Sequence, residues 1–128
     1  MTLSSSPPPP DDESKQPGLS IVIVGPCGAG KSTLAANLME LGYQARQIAQ
    51  EHSFVPDMWQ QLSNPDVLIF LEASFESCSQ RKAFHWSLAD YEEQMRRLQH
   101  AHQHCHIQIN TDDLTPKEIL TQVLTELT

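Results

Sequence analysis

Residues 25–33, "GPCGAGKST", bring three glycines, a lysine and two hydroxyls into one short segment. A backbone that turns this tightly needs glycine at Gly25, Gly28 and Gly30, and once turned, the N–H groups of residues 28–33 converge. Converging N–H groups make an oxyanion cradle. Ala29 adds its backbone to the cradle, and Cys27 adds a thiol. Lys31 is placed to reach β- and γ-phosphate oxygens, Ser32 to offer a hydroxyl to Mg²⁺, and Thr33 to bond an α-phosphate oxygen. Lys31 and a helix end beside Cys27 favour its thiolate, so oxidation there is one way of blocking the cradle.

Such a loop works only between a buried strand and a helix. "LSIVIV" before it is a continuous apolar run with β-branched residues, which suits a strand covered on both faces. After it, Leu34, Leu38 and Leu41 fall at helical spacing in a helix over 31–41 that stops at Gly42. With both elements present, Gly25-x-x-x-x-Gly30-Lys31-Ser32 is a full Walker A match. The helix N-terminus adds partial positive charge at the same point.

The rest of the chain continues the alternation. A second strand is expected over 43–50, a loop with one helical turn up to Asn64-Pro65, and a buried strand "DVLIFLE" over 66–72. Ser74 caps a helix from Phe75 to Ala83. After a connection, Met95, Leu98, His102 and Cys105 share one face of a helix starting at Tyr91. "HIQIN" is a short strand, and Thr115, Pro116 and Glu118 open a last helix with a capping box. Strands near 20, 45, 68 and 108 separated by helices predict an α/β fold: a three-layer α/β/α sandwich on a mainly parallel four-stranded sheet.

The 128 residues suit one domain over 19–128, preceded by a Pro-rich acidic leader over 1–18 whose composition favours disorder. Sixteen acidic residues against eight basic give a formal net charge of −8, a poor match for a nucleic-acid backbone. No stretch approaches the roughly 20 apolar residues of a membrane span, and no secretory signal is visible. Cys27, Cys78 and Cys105 are odd in number and scattered, which argues against a disulfide framework and for a cytoplasmic protein.

"GPCGAGKST" resembles the loop of the adenylate-kinase-like and nucleotide-kinase branch of P-loop NTPases, where "GPPGAGKST" is typical and Cys27 takes the place of the second proline. More loosely, "VLIFLEASFESCSQRK" is similar to the strand and helix that lead to the lid in those kinases. "HIQINTDDLTPKEILTQVL" is similar to their closing strand and helix, and the resemblance puts that connecting loop, with Thr111, near an adenine. It implies the P-loop NTPase fold, ATP with Mg²⁺, and transfer of the γ-phosphoryl group. Those kinases are usually longer, with an additional strand ending in an acid and a substrate-binding insertion, neither of which is evident. If the missing strand is the one that would lie between strands 1 and 2, the sheet order becomes 2-1-3-4, with nucleotide at the carboxyl ends of the strands.

Outside the loop, two carboxylates end strands on the expected side. Glu72 follows an apolar strand and is a candidate metal ligand; Glu51, with His52 and Asp57 beside it, is a candidate base or substrate contact. For each the alternative is a solvated strand-end carboxylate. Arg81, Lys82, Arg96 and Arg97 cluster around "AFHWSLAD" and can offset charge on a transferred phosphoryl group. The resemblance makes Arg97, in "DYEEQMRRL", a lid arginine, with Arg81 opposite; the alternative is pairing with Glu92 and Glu93 on a solvated face. Trp59 and Trp86 could wall a planar substrate or pack on the sheet. "HAHQHCH" has metal-ligand residue types but spans a helix end and a strand start, so its histidines cannot share one face.

The residues therefore point to an ATP-dependent phosphotransferase acting on an unidentified small-molecule acceptor, a nucleoside or nucleotide being one option. The alternative from another class is a nucleotide-binding regulatory or partner-binding module with little turnover. A GTPase is disfavoured because "NTDD" lacks the lysine of a guanine-reading motif. Oligomeric state is left open.

Overall fold

The computed structural model of the chain describes residues 19–82 and 85–127. The leader expected over 1–18 lies outside the described residues, as does Ala83. The first apolar run forms β1 (Ser20–Val24), buried from Ile21 onward, and the segment after the loop forms α1 (Lys31–Glu40). β2 (Gln44–Gln47) is followed by a 3₁₀ turn (Gln50–His52) and α2 (Met58–Ser63). β3 (Val67–Glu72) and α3 (Phe75–Lys82) come next, then α4 (Leu88–Arg97), α5 (Gln99–His104), β4 (Ile107–Asn110) and α6 (Pro116–Leu127).

The four strands form one parallel sheet in the order β2-β1-β3-β4, the order expected from the sequence. In register, Ile21 pairs with Ala45 and Val67, and Ile69 with Ile107. Because successive strand residues point to opposite faces, the run "IVIV" feeds two cores. Ile21, Ile23, Ile69, Leu71 and Ile109 meet Leu34 and Leu38 of α1 and Ile119 and Val123 of α6. Val22, Val24, Leu68 and Phe70 meet Trp59 of α2, Leu98 and Ala101 on the other face. Covered on both sides, the sheet is the middle layer of an α/β/α sandwich.

Local chemistry moves several boundaries. α4 starts at Leu88 rather than Tyr91, because Ser87 and Asp90 form a capping box: each accepts the other's backbone N–H at 3.1 Å. The expected four-turn helix is two helices that meet at Leu98, whose side chain is fully buried. α2 ends at Asn64 in the left-handed region (φ 47°), and Pro65 then bars any continuation. β2 is shorter than expected; Ile48 still donates to Ile23 O at 3.1 Å before the 3₁₀ turn takes over.

Asp112, after β4, accepts the N–H of Ser74 at 2.8 Å and so joins the β3–α3 and β4–α6 loops. That hydrogen bond holds the Asp112 carboxyl below its ordinary value of 3.8. A depressed folded-state pKa means stability that is present above 3.8 and lost as pH falls through the lower folded value. The stability gap between wild type and Asp112→Asn is accordingly expected to be widest near neutrality and to close in strong acid. Urea titrations at a series of pH values check this, and a gap that widens with acid contradicts it.

Candidate nucleotide site

The glycine-rich loop runs from the end of β1 to the start of α1, and its backbone matches what the glycines predict. Gly28 (φ 86°) and Gly30 (φ 98°) are both in the left-handed region. Gly25 is required for a different reason: a Cβ there would stand 2.4 Å from Leu71 O, so the loop lies directly against β3. Gly25→Ala is therefore expected to cost about 1–3 kcal/mol by overpacking against rigid backbone, measured as a shift in denaturation midpoint.

The first helical hydrogen bond of α1 is Leu34 N–H to Gly30 O at 3.1 Å. The N–H groups of Lys31, Ser32 and Thr33 precede it and belong to the orphan donors of a helix start. Gly30, in the cap position, has no side chain to satisfy them. Those donors open into a cleft of about 680 Å³ that the loop shares with Glu51, His52, Arg81, Lys82 and the start of α6. The cradle is narrower than the sequence suggests, since Ala29 N–H turns back to Pro26 O at 3.2 Å.

Lys31 is the centre of the charge arrangement. Its Nζ donates to Gly25 O and Pro26 O, each at 2.9 Å, and lies 3.0 Å from Glu51 Oε2. Both side chains are about 95% buried, so this is an internal ion pair in which the loop carbonyls complete the ammonium's shell. The other oxygen of Glu51, Oε1, is buried with no hydrogen-bond partner. Cys27 faces the same carboxylate, with Sγ 3.8 Å from Glu51 Oε2 and 3.4 Å from His52 Nε2. Gln94 of α4 clamps that cysteine: its Oε1 accepts Cys27 N–H at 3.0 Å and its Nε2 donates to Sγ at 3.3 Å.

Arg81 closes the opposite wall. Its guanidinium donates to Gly28 O at 3.2 Å, to Thr111 Oγ1 at 3.0 Å and to Thr111 O at 2.6 Å. Thr111 is fully buried and also donates its hydroxyl to Glu72 O at 3.0 Å, so one arginine ties the loop to the ends of β3 and β4. Beneath the loop, burial pushes the Cys78 thiol up to about 11. Cys78 is a buried packing group, whereas Cys27 lines the cleft.

Three expected site residues stand elsewhere: Thr111, expected near an adenine, is fully buried, held by Arg81 and absent from the cleft wall, and Glu72 and Arg97 lie outside the cleft. Glu72 shares the strand phase of Leu68 and Phe70, so its side chain leaves the sheet on the α4–α5 face. It accepts from Gln108 Nε2 at 2.9 Å and lines a second hollow of about 520 Å³ with Tyr91, Met95 and His102. Arg97 is engaged by Glu93 at 3.0 Å and lies over the Phe54 ring at 4.2 Å, away from the nucleotide cleft. Hydrogen bonds from Arg96 and then Arg97 hold the Glu93 carboxyl below its usual range. The pairing weighed against a lid role is the one found for Arg97.

Neither tryptophan lines the cleft. Trp59 is core, its indole N–H donating to His100 Nδ1 at 3.1 Å, and Trp86 stacks on Phe75 and donates to Ser79 Oγ at 2.7 Å. Asp57, beside Glu51 in sequence, accepts instead from Gln61 at 2.9 Å. His100 and His104 stack on each other at 4.3 Å, and His106 Nδ1 accepts Leu68 N–H at 2.8 Å. The histidine-rich segment thus serves packing and backbone hydrogen bonds. Gln94 gave no sequence signal beyond its position beside the apolar stripe of α4.

Residues 21–108 match the family model described as an AAA domain, a span from β1 into β4 that includes the whole loop. The chain belongs to this AAA domain family. No curated protein matches the chain closely enough to count as a relative. The AAA domain has the P-loop NTPase fold and is a P-loop nucleotide-binding domain. Among its described residues no helix is long and apolar enough to cross a membrane.

The residues of the AAA domain fit a nucleoside triphosphate and its metal. Ser32, exposed at the first turn of α1 and lining the cleft, is the hydroxyl that would hold Mg²⁺ together with phosphate oxygens and water. When bound, Mg²⁺ supplies charge neutralisation between the phosphates.

Proposed function

We propose that this AAA domain is a small phosphotransferase that moves the γ-phosphoryl group of ATP to a small-molecule acceptor. One observation carries the reading: a buried carboxylate, Glu51, stands 3.0 Å from the loop lysine at the phosphate end of the cleft. A carboxylate there can take the proton of an acceptor hydroxyl as the acceptor attacks the γ-phosphorus. General bases of this kind contribute about 10²–10⁴-fold to rate.

The remaining parts of such a site lie around it. On binding, Lys31 exchanges its contacts with Glu51 and the loop carbonyls for phosphate oxygens. The α1 N–H groups receive oxygens at the helix start, where the partial charge of the helix favours them. Arg81 and Lys82 line the cleft on the wall away from Glu51 and supply positive charge for the transferred group. The cleft of about 680 Å³ lies within the range of small-molecule sites, about 300–1,000 Å³. The loop's likeness to nucleotide kinases supports ATP as donor and a nucleoside or nucleotide as acceptor class.

The test is incubation of the full chain with Mg-ATP labelled at the γ-position and a panel of nucleosides, nucleotides and other phosphorylatable metabolites. Transfer of label to one acceptor class, absent in Lys31→Ala, is the expected result. Binding of Mg-ATP without transfer to any member or to water would refute phosphotransfer. Titration with diadenosine pentaphosphate adds the acceptor class: tighter binding than ATP indicates a second nucleotide subsite.

A further inference from the structure

Cys27, Glu51 and His52 form the one group of three metal-ligating side chains among the described residues. Their nearest atoms make a triangle with sides of 3.4 Å (Sγ to Nε2), 3.7 Å (Nε2 to Oε2) and 3.8 Å (Sγ to Oε2). Tetrahedral zinc, with bonds of about 2.3 Å to sulfur and about 2.0–2.2 Å to nitrogen and oxygen, requires ligand atoms about 3.4–3.6 Å apart. The triangle is therefore within a few tenths of an ångström of three of the four corners of a zinc tetrahedron.

We propose that Cys27, His52 and Glu51 bind a zinc ion at the mouth of the nucleotide cleft, with the fourth coordination position open, in a state of the site distinct from the one in which Glu51 acts as base. The buried carboxylate has unused capacity: Oε1 lacks a hydrogen-bond partner, and Oε2 has a lone pair beyond the one that meets Lys31. Gln94 supplies the outer support that such ligands need, holding the cysteine by its N–H and donating to Sγ, which steadies a thiolate. A thiolate and an imidazole select a borderline-soft ion over Mg²⁺, so this site and the oxygen-lined Ser32 site take different metals. Three protein ligands and one open position is the pattern of a zinc that meets a substrate or water.

Two alternatives fit less well. A nucleophilic relay through His52 would need the thiol and the carboxylate on different ring nitrogens, whereas both lie nearest Nε2. A structural zinc would need four protein ligands, and only three are present among the described residues.

The site is tested on the full reduced chain with Co²⁺ alone, read by absorption, followed by displacement with Zn²⁺. A thiolate-to-cobalt charge-transfer band saturating at one ion per chain, abolished by Zn²⁺, is expected for wild type. It should vanish in Cys27→Ser, and in His52→Ala the affinity should fall by at least about 10–100-fold, the range measured for outer-shell partners alone. The side chain of His52 is 58% exposed, so that variant is expected to fold. Absence of the band in wild type, its survival in Cys27→Ser, or unchanged affinity in His52→Ala overturns the proposal. None of these readouts involves phosphoryl transfer, so failure of the zinc site and failure of the kinase reading remain separable.

Discussion

Lys31→Ala is expected to destabilise the fold by about 3–5 kcal/mol, the usual cost of removing one partner of a buried ion pair. Lys31 and Glu51 are both about 95% buried, and without the ammonium Glu51 retains only the weak contact to Cys27 Sγ at 3.8 Å and the partly exposed His52. The same change removes the charged donor meant for the phosphates, which costs about 10–10²-fold in Mg-ATP affinity. The two losses separate in a double variant. Adding Glu51→Gln to Lys31→Ala removes the stranded charge, so it should restore much of the stability without restoring nucleotide binding. Urea titration measures the first effect and calorimetry with Mg-ATP the second. Wild-type nucleotide affinity in Lys31→Ala would mean that the loop does not hold the phosphates at all.

How far this arrangement was legible in the sequence follows from the range over which each signal acts. The loop, its strand and its helix were readable because their requirements are local: positive φ at Gly28 and Gly30, and continuous burial in "IVIV". The order β2-β1-β3-β4 was reached through the resemblance to nucleotide kinases, taking the strand they would carry between the first two as the missing one. The start of α4 was missed although its signal is in the sequence, a serine three residues before an aspartate. What was not legible depends on which way a side chain leaves its strand or helix. Glu72 looked like a metal ligand because it ends an apolar strand, but its phase turns it to the α4–α5 face. Arg97 looked like a lid residue, yet Glu93 one helical turn earlier takes its guanidinium, a pairing the sequence allowed without deciding. The pairing of Gln94 with Cys27, 67 positions apart, has no local signature; packing of α4 against the 3₁₀ turn at residues 50–52 brings that region together.

Glu51→Gln is the second substitution with a large expected effect, and it acts in the opposite sense on binding. Glutamine is nearly isosteric, so the 3₁₀ turn keeps its shape, and Lys31 retains Gly25 O and Pro26 O at 2.9 Å each. The stability loss should therefore be smaller than for Lys31→Ala, where the surviving charge has no comparable partners. Removing the carboxylate also removes a competitor for Lys31 and a negative charge next to incoming phosphates. Mg-ATP should then bind as tightly as to wild type or more tightly. If Glu51 is the base of the proposed phosphotransfer, transfer to the acceptor should by contrast fall by about 10²–10⁴-fold, because an amide cannot take the acceptor's proton. This split between affinity and turnover is what distinguishes a base from a residue that merely holds the lysine. A purely positioning Glu51 would give parallel losses in both, and an unchanged transfer rate would remove Glu51 from the chemistry. Single-turnover transfer at saturating ATP, measured beside calorimetric affinity on the same preparation, separates the three cases.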